Sequence, residues 1–185
     1  MKLGGIFMSG MFDVACEKVV HSGRYVDNGG SICDYHISEN WYNALVLNVY
    51  KVFIADVDVN SEQTKQSTLA QIKYVISLLN DSFVVYETHS GFRIFMTNKL
   101  VDPLSEESKT LMDMFGADPR YSSGCIHQDC YRARLTPKPQ RVVEGKKYSV
   151  CKEVHRSEYY YEIPEIQHVL NIHDNYTICN DLPLA

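Results

Sequence analysis

The sequence predicts an α+β fold in which a mixed or antiparallel sheet packs against helices. Two short apolar runs typical of strands, VFIADVDV at 52–59 and FVVYE at 83–87, flank a segment at 62–79 whose apolar residues recur at helical spacing. A third apolar run, FRIFMT at 92–97, follows a His-Ser-Gly turn. This β-α-β-turn-β order predicts a sheet with the 62–79 helix packed on one face.

The segments around this unit are assigned by their turn and cap residues. DNGG at 27–30 is typical of a hairpin, and a short helix is expected to run through Trp41, Leu45 and Val49. Asn60 or Ser61 is expected to cap the 62–79 helix.

Later in the chain, a second helix is expected to begin near Pro103 and to stop at Gly116. Residues 124–135 are expected to be extended, before TPKP interrupts regular structure. The 185 residues are interpreted as one domain. Its motif-bearing core lies at about 50–141, and a C-terminal extension lies at about 142–185.

Composition limits the class of protein. The chain is 45% hydrophobic and 22% charged, which is ordinary for a soluble globular protein. A net charge of −5 argues against a general nucleic-acid coat but is compatible with a local basic groove. No apolar run approaches the roughly 20 residues of a membrane helix, so no membrane partner is expected. The six cysteines are irregularly spaced without a CxxC pair, which favours reduced thiols and a cytoplasmic location.

Two carboxylates stand one residue apart in the first predicted strand. Because residues i and i+2 of a strand share a face, Asp56 and Asp58 are expected to project together. Adjacent carboxylates repel each other, and a divalent cation relieves that repulsion. Their hard oxygen atoms suit Mg²⁺ or Mn²⁺, which usually takes one or two carboxylates and completes its shell with substrate phosphates. The alternative is a strand end where both acids reach water or cap a helix.

A second candidate stretch is YETHSGFRIFMTNK, which places a small-residue turn before the third strand. Thr88, Ser90 and the turn amides are suited to receive phosphate oxygens, and Gly91 permits close approach of the backbone. The guanidinium of Arg93 is suited to clamp a phosphate. The alternative is an ordinary hairpin with an exposed arginine.

A third stretch, GCIHQDCYRARLTPKPQR at 124–141, contains another acid, Asp129, in a predicted extended segment. It also holds the one concentrated basic region of the chain, with tyrosines nearby: Arg132, Arg134, Lys138 and Arg141, with Tyr131 and Tyr148. A basic segment with aromatics suits a polyphosphate or a nucleic-acid backbone. The alternative is a solvated basic face.

In their order and approximate spacing, the three stretches resemble the motifs of the archaeo-eukaryotic primase, or primase–polymerase, superfamily. The family's first motif is a strand-borne DxD, which Asp56 and Asp58 match. Its second is a small-residue turn before a strand with a phosphate-contacting histidine; HSGFRIF matches it with Arg93 in the histidine position, unless His89 takes that role. Its third is an acid followed by a basic segment, matched by Asp129 and RARLTPKP.

The resemblance implies a primase–polymerase-like, RRM-like catalytic core and a metal-dependent nucleotidyltransferase. Two Mg²⁺ or Mn²⁺ ions would be held by Asp56, Asp58 and Asp129, and the substrates would be nucleoside triphosphates and a DNA or RNA strand. The implied substrate-binding residues come from the second and third motifs: Thr88, His89, Ser90, Gly91, Arg93, Arg132, Arg134 and Lys138. A role in DNA replication would bring replication or mobile-element proteins as partners.

Two other functions stay open on the sequence. One is a glycosyltransferase that uses DxD to hold Mn²⁺ and a nucleotide-sugar. The other is a catalytically degenerate primase-like module of a virus or plasmid that binds nucleotides or nucleic acid as an accessory or inhibitor.

Two further groups of residues invite a binding role. Structural Zn²⁺ is considered for four residues with loose metal-ligand spacing, Cys33, His36, Cys125 and Cys130. Cysteines that serve the core or the surface are the favoured interpretation. Tyr159, Tyr160 and Tyr161 are candidates for base stacking, although packing on the domain is the favoured interpretation.

Overall fold

The computed structural model describes residues 18–26, 30, 32–59, 64–144, 148–177 and 184. Along the chain the elements are β1 (Lys18–Val26), β2 (Ile32–Glu39), β3 (Leu45–Val49), β4 (Ile54–Asp58), α1 (Lys65–Leu78), β5 (Phe83–Thr88), β6 (Gly91–Met96), α2 (Glu106–Phe115), α3 (Pro119–Gln128), β7 (Tyr131–Arg134), β8 (Cys151–Arg156) and α4 (Pro164–Thr177). A short 3₁₀ helix spans Pro139–Arg141.

The described strands form two four-stranded sheets, in the orders β1-β2-β3-β7 and β4-β6-β5-β8. Every pairing between these strands is antiparallel. The predicted α+β class is therefore confirmed. β1 and β2 form the expected hairpin, with Val26 opposite Ile32, although most of the DNGG turn lies outside the described residues.

The predicted β-α-β-turn-β unit is present in the second sheet. β4 and β5 both run antiparallel to β6, which lies between them, so they run parallel to each other with α1 as their connection. The neighbouring positions of β4 and β6 bring the first two sequence motifs together, with Asp56 directly opposite Arg93.

Local cap chemistry fixes the ends of the first two helices. The side chain of Thr64 accepts from the amide of Ser67 and begins α1 with a capping box. The predicted caps Asn60 and Ser61 lie outside the described residues. In α2 the side chain of Ser105 accepts from the Ser108 amide. Gly116 adopts φ 66° and ends that helix as predicted.

Two predicted elements are corrected by the structure. The helix through Trp41 and Val49 is wrong: Trp41 lies in a loop, and the apolar residues that follow form β3 between β2 and β7. The extended segment at 124–135 is correct only over β7, because its first half belongs to α3. That helix begins at Asp118, whose carboxylate accepts from two amides, followed by Pro119 in the first turn.

Residues after 142 contribute to the second sheet and to the core. β8 pairs with β5 along its length. α4 buries Ile166, Val169, Leu170 and His173. None of the helices in the described ranges is long and apolar enough to cross a bilayer.

Candidate functional site

A cavity of about 450 Å³ lies where the two sheets and α3 meet. The second sheet and its turn contribute Asp56, Asp58, Ser90 and Arg93, and the first sheet contributes Arg132 and Arg134. The remaining lining residues are Asn40, Trp41, Tyr42, Val46, Arg120, Tyr121, Gly124, Cys125, Gln128 and Lys138. The cavity thus holds two acids and five Lys or Arg residues in a chain whose net charge is −5.

The two acids of β4 share one face of the strand, as predicted from their spacing. The residues between and beside them, Ala55 and Val57, are buried in the core, whereas Asp56 is half-buried and Asp58 is exposed. Although the residue is exposed, its carboxylate is partly desolvated, and this desolvation and the charges of Asp56 and Asp118 raise the pKa of Asp58, while Lys138 and Arg134 lower it by less. The Asp58 carboxylate is therefore placed where added positive charge stabilises it.

Arg93 is almost completely inaccessible to solvent, with 1% of its surface exposed. Its Nε donates to Oδ1 of Asp56 at 3.1 Å, and Nη1 donates to the backbone carbonyl of Arg134 at 3.0 Å. Burial is the largest single effect on the pKa of Arg93 and lowers it, but Asp56, Cys151 and Tyr121 together raise it by more, so the guanidinium stays charged. The alternative of an exposed hairpin arginine is excluded by this burial.

A buried histidine lies behind this ion pair. Nε2 of His173 lies 3.4 Å from Nη1 of Arg93, and its Nδ1 lies 2.8 Å from a carboxylate oxygen of Asp174. The pKa of His173 is lowered, first by burial and then by Arg93, although Asp174 raises it. The neutral ring is therefore favoured, and Arg93 keeps Asp56 as its charged partner.

The turn between β5 and β6 contributes less to the cavity than the sequence predicts. Ser90 lines the cavity, whereas Thr88, His89 and Gly91 do not. A Cβ on Gly91 would lie 1.9 Å from the carbonyl oxygen of Val57, so the close approach that this glycine permits is to β4. The hydroxyl of Thr88 accepts from the Gly91 amide at 3.2 Å and holds the turn.

The basic residues across the cavity have an excess of positive charge. The pKa of Arg134 is lowered by burial and by Arg93 and Arg141, and that of Lys138 is lowered by burial and by Arg134 and Arg141. Within the described part of the chain, neither residue forms a salt bridge, and the buried Nε of Arg134 has no hydrogen-bond partner. An anion placed here would satisfy the unpaired donor and stabilise both cations.

Asp129 occupies a different place from the one the sequence predicts. It is the C-cap of α3 with φ 49°, and it does not line the cavity. Burial and the charge of Asp102 raise its pKa, and it lies near Tyr50. The acid that lies near Asp58 is instead Asp118, whose amide donates to the backbone oxygen of Asp56 at 2.8 Å.

Several cavity residues are not identified by the sequence motifs. Arg120 and Tyr121 come from the first turn of α3, and the Tyr121 hydroxyl donates to the Ile54 carbonyl at 3.0 Å. The Asp-Pro pair at 118–119 is the signal that would have found this helix. Trp41 and Tyr42 come from the loop between β2 and β3, where the sequence predicted a helix.

The predicted metal sites can be compared with the grouping of His, Cys, Asp and Glu side chains. Over the described ranges, no three or more His, Cys, Asp or Glu side chains are grouped closely enough to hold a metal ion alone. This applies to Asp56, Asp58 and Asp129, and equally to the zinc candidates Cys33, His36, Cys125 and Cys130. The cysteines at 33, 125, 130 and 151 are all buried, and none of them is described in a disulfide.

The tyrosines at 159–161 lie away from the cavity. Tyr159 and Tyr161 are exposed and do not line it. The Tyr160 ring packs under the guanidinium of Arg156 at 4.4 Å.

Comparison of the chain with protein-family models, with curated proteins and with solved structures finds no match.

Proposed function

We propose that the cavity binds a complex of a divalent metal ion with a nucleoside triphosphate and transfers the nucleotide to a DNA or RNA strand, as primase–polymerases do. The observation that carries the proposal is the division of charge in one cavity. Asp56 and Asp58 lie on one sheet, and Arg134 and Lys138, which form no salt bridge to a carboxylate among the described residues, come from the other side. A metal–triphosphate complex presents a cation to the two acids and an anion to the two basic residues opposite them.

The metal ion fits the acids of β4. The pKa of Asp58 is raised partly by the charges of Asp56 and Asp118, a repulsion that a bound cation would relieve. Mg²⁺ and Mn²⁺ commonly take one or two carboxylates and complete their shell with phosphate oxygens and water. When bound, such an ion supplies charge neutralisation at the reacting phosphate.

The proposed reaction forms one bond and breaks one. The 3′-hydroxyl oxygen of the strand bonds to the α-phosphorus of the triphosphate. The bond from that phosphorus to the bridging oxygen breaks, pyrophosphate leaves with the electron pair, and the hydroxyl proton passes to water. Arg134 and Lys138 hold the phosphates and offset the negative charge that grows on the departing pyrophosphate.

The test is primer extension and de novo synthesis with labelled nucleotides in Mg²⁺ and in Mn²⁺, on DNA and on RNA templates. Wild type is expected to extend a strand, and Asp58→Asn to abolish extension. The matched control is Asp113→Asn, which changes an exposed acid on α2 outside this cavity and should leave extension unchanged. Extension that is equal in wild type and Asp58→Asn would remove this acid from the site.

One observation favours a second function, a degenerate module that binds nucleotide without transferring it. The guanidinium of Arg93 already provides a positive charge to Asp56, at the position where the resembled family places a histidine. If no product forms in any combination while metal-dependent triphosphate binding persists by calorimetry, the second function is supported and the transfer reaction is rejected.

A further inference from the structure

The loop between β2 and β3 presents two aromatic side chains at the mouth of the cavity. Trp41 is 80% exposed and Tyr42 is 61% exposed, yet both line the cavity that holds Asp56 and Lys138. Other strongly exposed aromatics, Tyr74 and Tyr159, do not line it. An aromatic side chain that is mostly in water but borders a charged cavity has a flat apolar face available to a ligand.

Hydrogen bonds hold this loop in one conformation. The side-chain oxygen of Asn40 accepts from the amides of Tyr42 and Ala44, both at 3.0 Å. The Asn40 amide donates to the Ala44 carbonyl at 2.9 Å, and Asn43 has a left-handed φ of 57°. The two aromatic residues therefore lie in a hydrogen-bonded turn.

The same loop is joined to the basic wall. The amide of Leu45 donates to the Thr136 hydroxyl at 2.8 Å, and the Leu135 amide donates to the Leu45 carbonyl at 2.7 Å. Arg134 pairs directly with Val46 in the adjoining strands. The aromatic rings are thus connected through the backbone to the segment that carries Arg134 and Lys138.

We propose that Trp41, assisted by Tyr42, stacks on a nucleobase whose phosphates are held by Arg134 and Lys138. The inference rests on the proposed function and adds the base to the phosphate site. Every nucleobase has a π-face, so the surface is expected to accept all four bases with similar affinity. Stacking of this kind supplies affinity that a bare polyphosphate cannot obtain.

The chain offers a direct probe, because Trp41 is its only tryptophan. Intrinsic fluorescence is recorded while nucleoside triphosphate, inorganic tripolyphosphate or a short single-stranded oligonucleotide is added, each with Mg²⁺. A base stacked on the indole is expected to quench the emission, and tripolyphosphate is expected to bind by calorimetry without equal quenching. If the nucleoside triphosphate quenches the emission, the stacked base is that of the bound nucleotide. If only the oligonucleotide quenches it, the stacked base belongs to the nucleic-acid strand.

Variants measured by calorimetry complete the test. Trp41→Ala should weaken binding of the quenching ligand on the order of tenfold to a hundredfold. It should leave tripolyphosphate affinity unchanged, and Trp41→Phe should retain most of the affinity. Tyr159→Ala, which removes an 87% exposed ring outside the cavity, is the matched control. Circular dichroism confirms that each variant is folded.

The outcomes separate the two proposals. Nucleotide that binds wild type and Trp41→Ala equally, with no change in emission, overturns the stacking surface and leaves the metal–triphosphate site intact. Absence of binding by nucleotide, tripolyphosphate and oligonucleotide overturns both.

Discussion

The cavity has two charged walls, one on β4 and β6 and the other on β7 and the segment after it. They differ in whether the fold supplies a partner of opposite charge. On β4 and β6, the buried Arg93 donates directly to Asp56, so one acid of the pair already has a cationic partner. On β7 and the segment after it, Arg134 and Lys138 form no salt bridge to a described carboxylate. The charge of Arg141 lowers the pKa of both residues, and Arg134 also lowers that of Lys138. The first wall is part of the folded core, whereas the second carries positive charge that a bound anion would balance.

This difference separates residues that hold the fold from residues that we propose bind a ligand. Substitution of Arg93 should be seen in stability, and substitution of Arg134 or Lys138 in ligand affinity. Asp58 belongs with the second group although it lies on the first wall, because it is exposed and repelled by Asp56 and Asp118.

The largest effect is expected when the basic wall is removed. Arg134→Ala with Lys138→Ala eliminates two charged donors, each worth roughly 1.5–3 kcal/mol in a hydrogen bond to a charged group. Metal–triphosphate affinity should fall on the order of 10²–10⁴-fold. The weakening of wild-type strand binding with rising salt should also become shallower. Calorimetry at two salt concentrations measures both.

The control for this prediction is Lys73→Ala, which removes an exposed lysine from α1, outside the cavity. If the control and the double variant lose affinity equally, the effect is general electrostatics and the comparison between the two walls fails.

The next effect concerns stability. Arg93→Met removes the cation buried beside Asp56 and leaves the carbonyl of Arg134 without this donor. Breaking one side of a buried pair costs about 3–5 kcal/mol, and the partial exposure of Asp56 places this case near about 3 kcal/mol. Urea unfolding at pH 7 measures it. A free energy of unfolding within about 0.5 kcal/mol of wild type would show that the ion pair does not stabilise the core.

How much of this arrangement the sequence predicts depends on the range of the interaction. The shared face of Asp56 and Asp58 follows from strand alternation, and the stop of α2 follows from Gly116, because both are local. The burial of Arg93 could not be predicted, since it depends on contacts with residues 41 and 80 positions further along the chain. Asp129 has the expected residue type, but its left-handed C-cap conformation places it outside the cavity.

The helix predicted for the segment that follows β2 is wrong for a related reason. Trp41, Leu45 and Val49 recur at a helical spacing, but residues 45–49 fit a strand equally well, and only pairing with β2 and β7 decides between the two. Because residues 45–49 form a strand, Trp41 lies in the turn before it and is exposed. The candidate stacking surface therefore could not be predicted without the strand partners.

A smaller effect concerns how the free energy of unfolding depends on pH through His173, which is buried next to Arg93. The groups around His173 come from four elements: Arg93 on β6, Cys151 on β8, Tyr86 on β5, and Asp174 and Thr177 on α4. The pKa of His173 is lowered in the folded protein, first by burial. The stability this provides is present above the ordinary pKa of 6.5 and is lost as pH falls towards the folded value.

We therefore expect the free energy of unfolding to fall with pH below 6.5, at no more than about 1.4 kcal/mol per pH unit from this residue. His173→Gln should remove that part of the slope, even if the variant is less stable at pH 7. Urea unfolding between pH 5 and 8 checks it. An unchanged slope in His173→Gln would assign the acid sensitivity to other groups.

The smallest effect concerns Asp58, whose contribution to stability depends on pH in the opposite direction to that of His173. Burial, Asp56 and Asp118 raise its pKa, so the folded protein favours the protonated carboxyl more than the unfolded chain does. The resulting stability is present below the ordinary pKa of 3.8 and is lost as pH rises through the raised value. Asp58→Asn should therefore be slightly more stable than wild type at pH 7, by less than about 1 kcal/mol because the residue is exposed.

That difference should shrink as pH is lowered towards 3.8, and added Mg²⁺ should stabilise wild type more than Asp58→Asn. A gain in stability together with a loss of metal response would identify Asp58 as a ligand position that the fold maintains at a cost. If Asp58→Asn is instead destabilised as Arg93→Met is, Asp58 belongs to the folded framework of the first wall. The acids of β4 would then share one structural role, and the basis for placing a metal ion there would be lost.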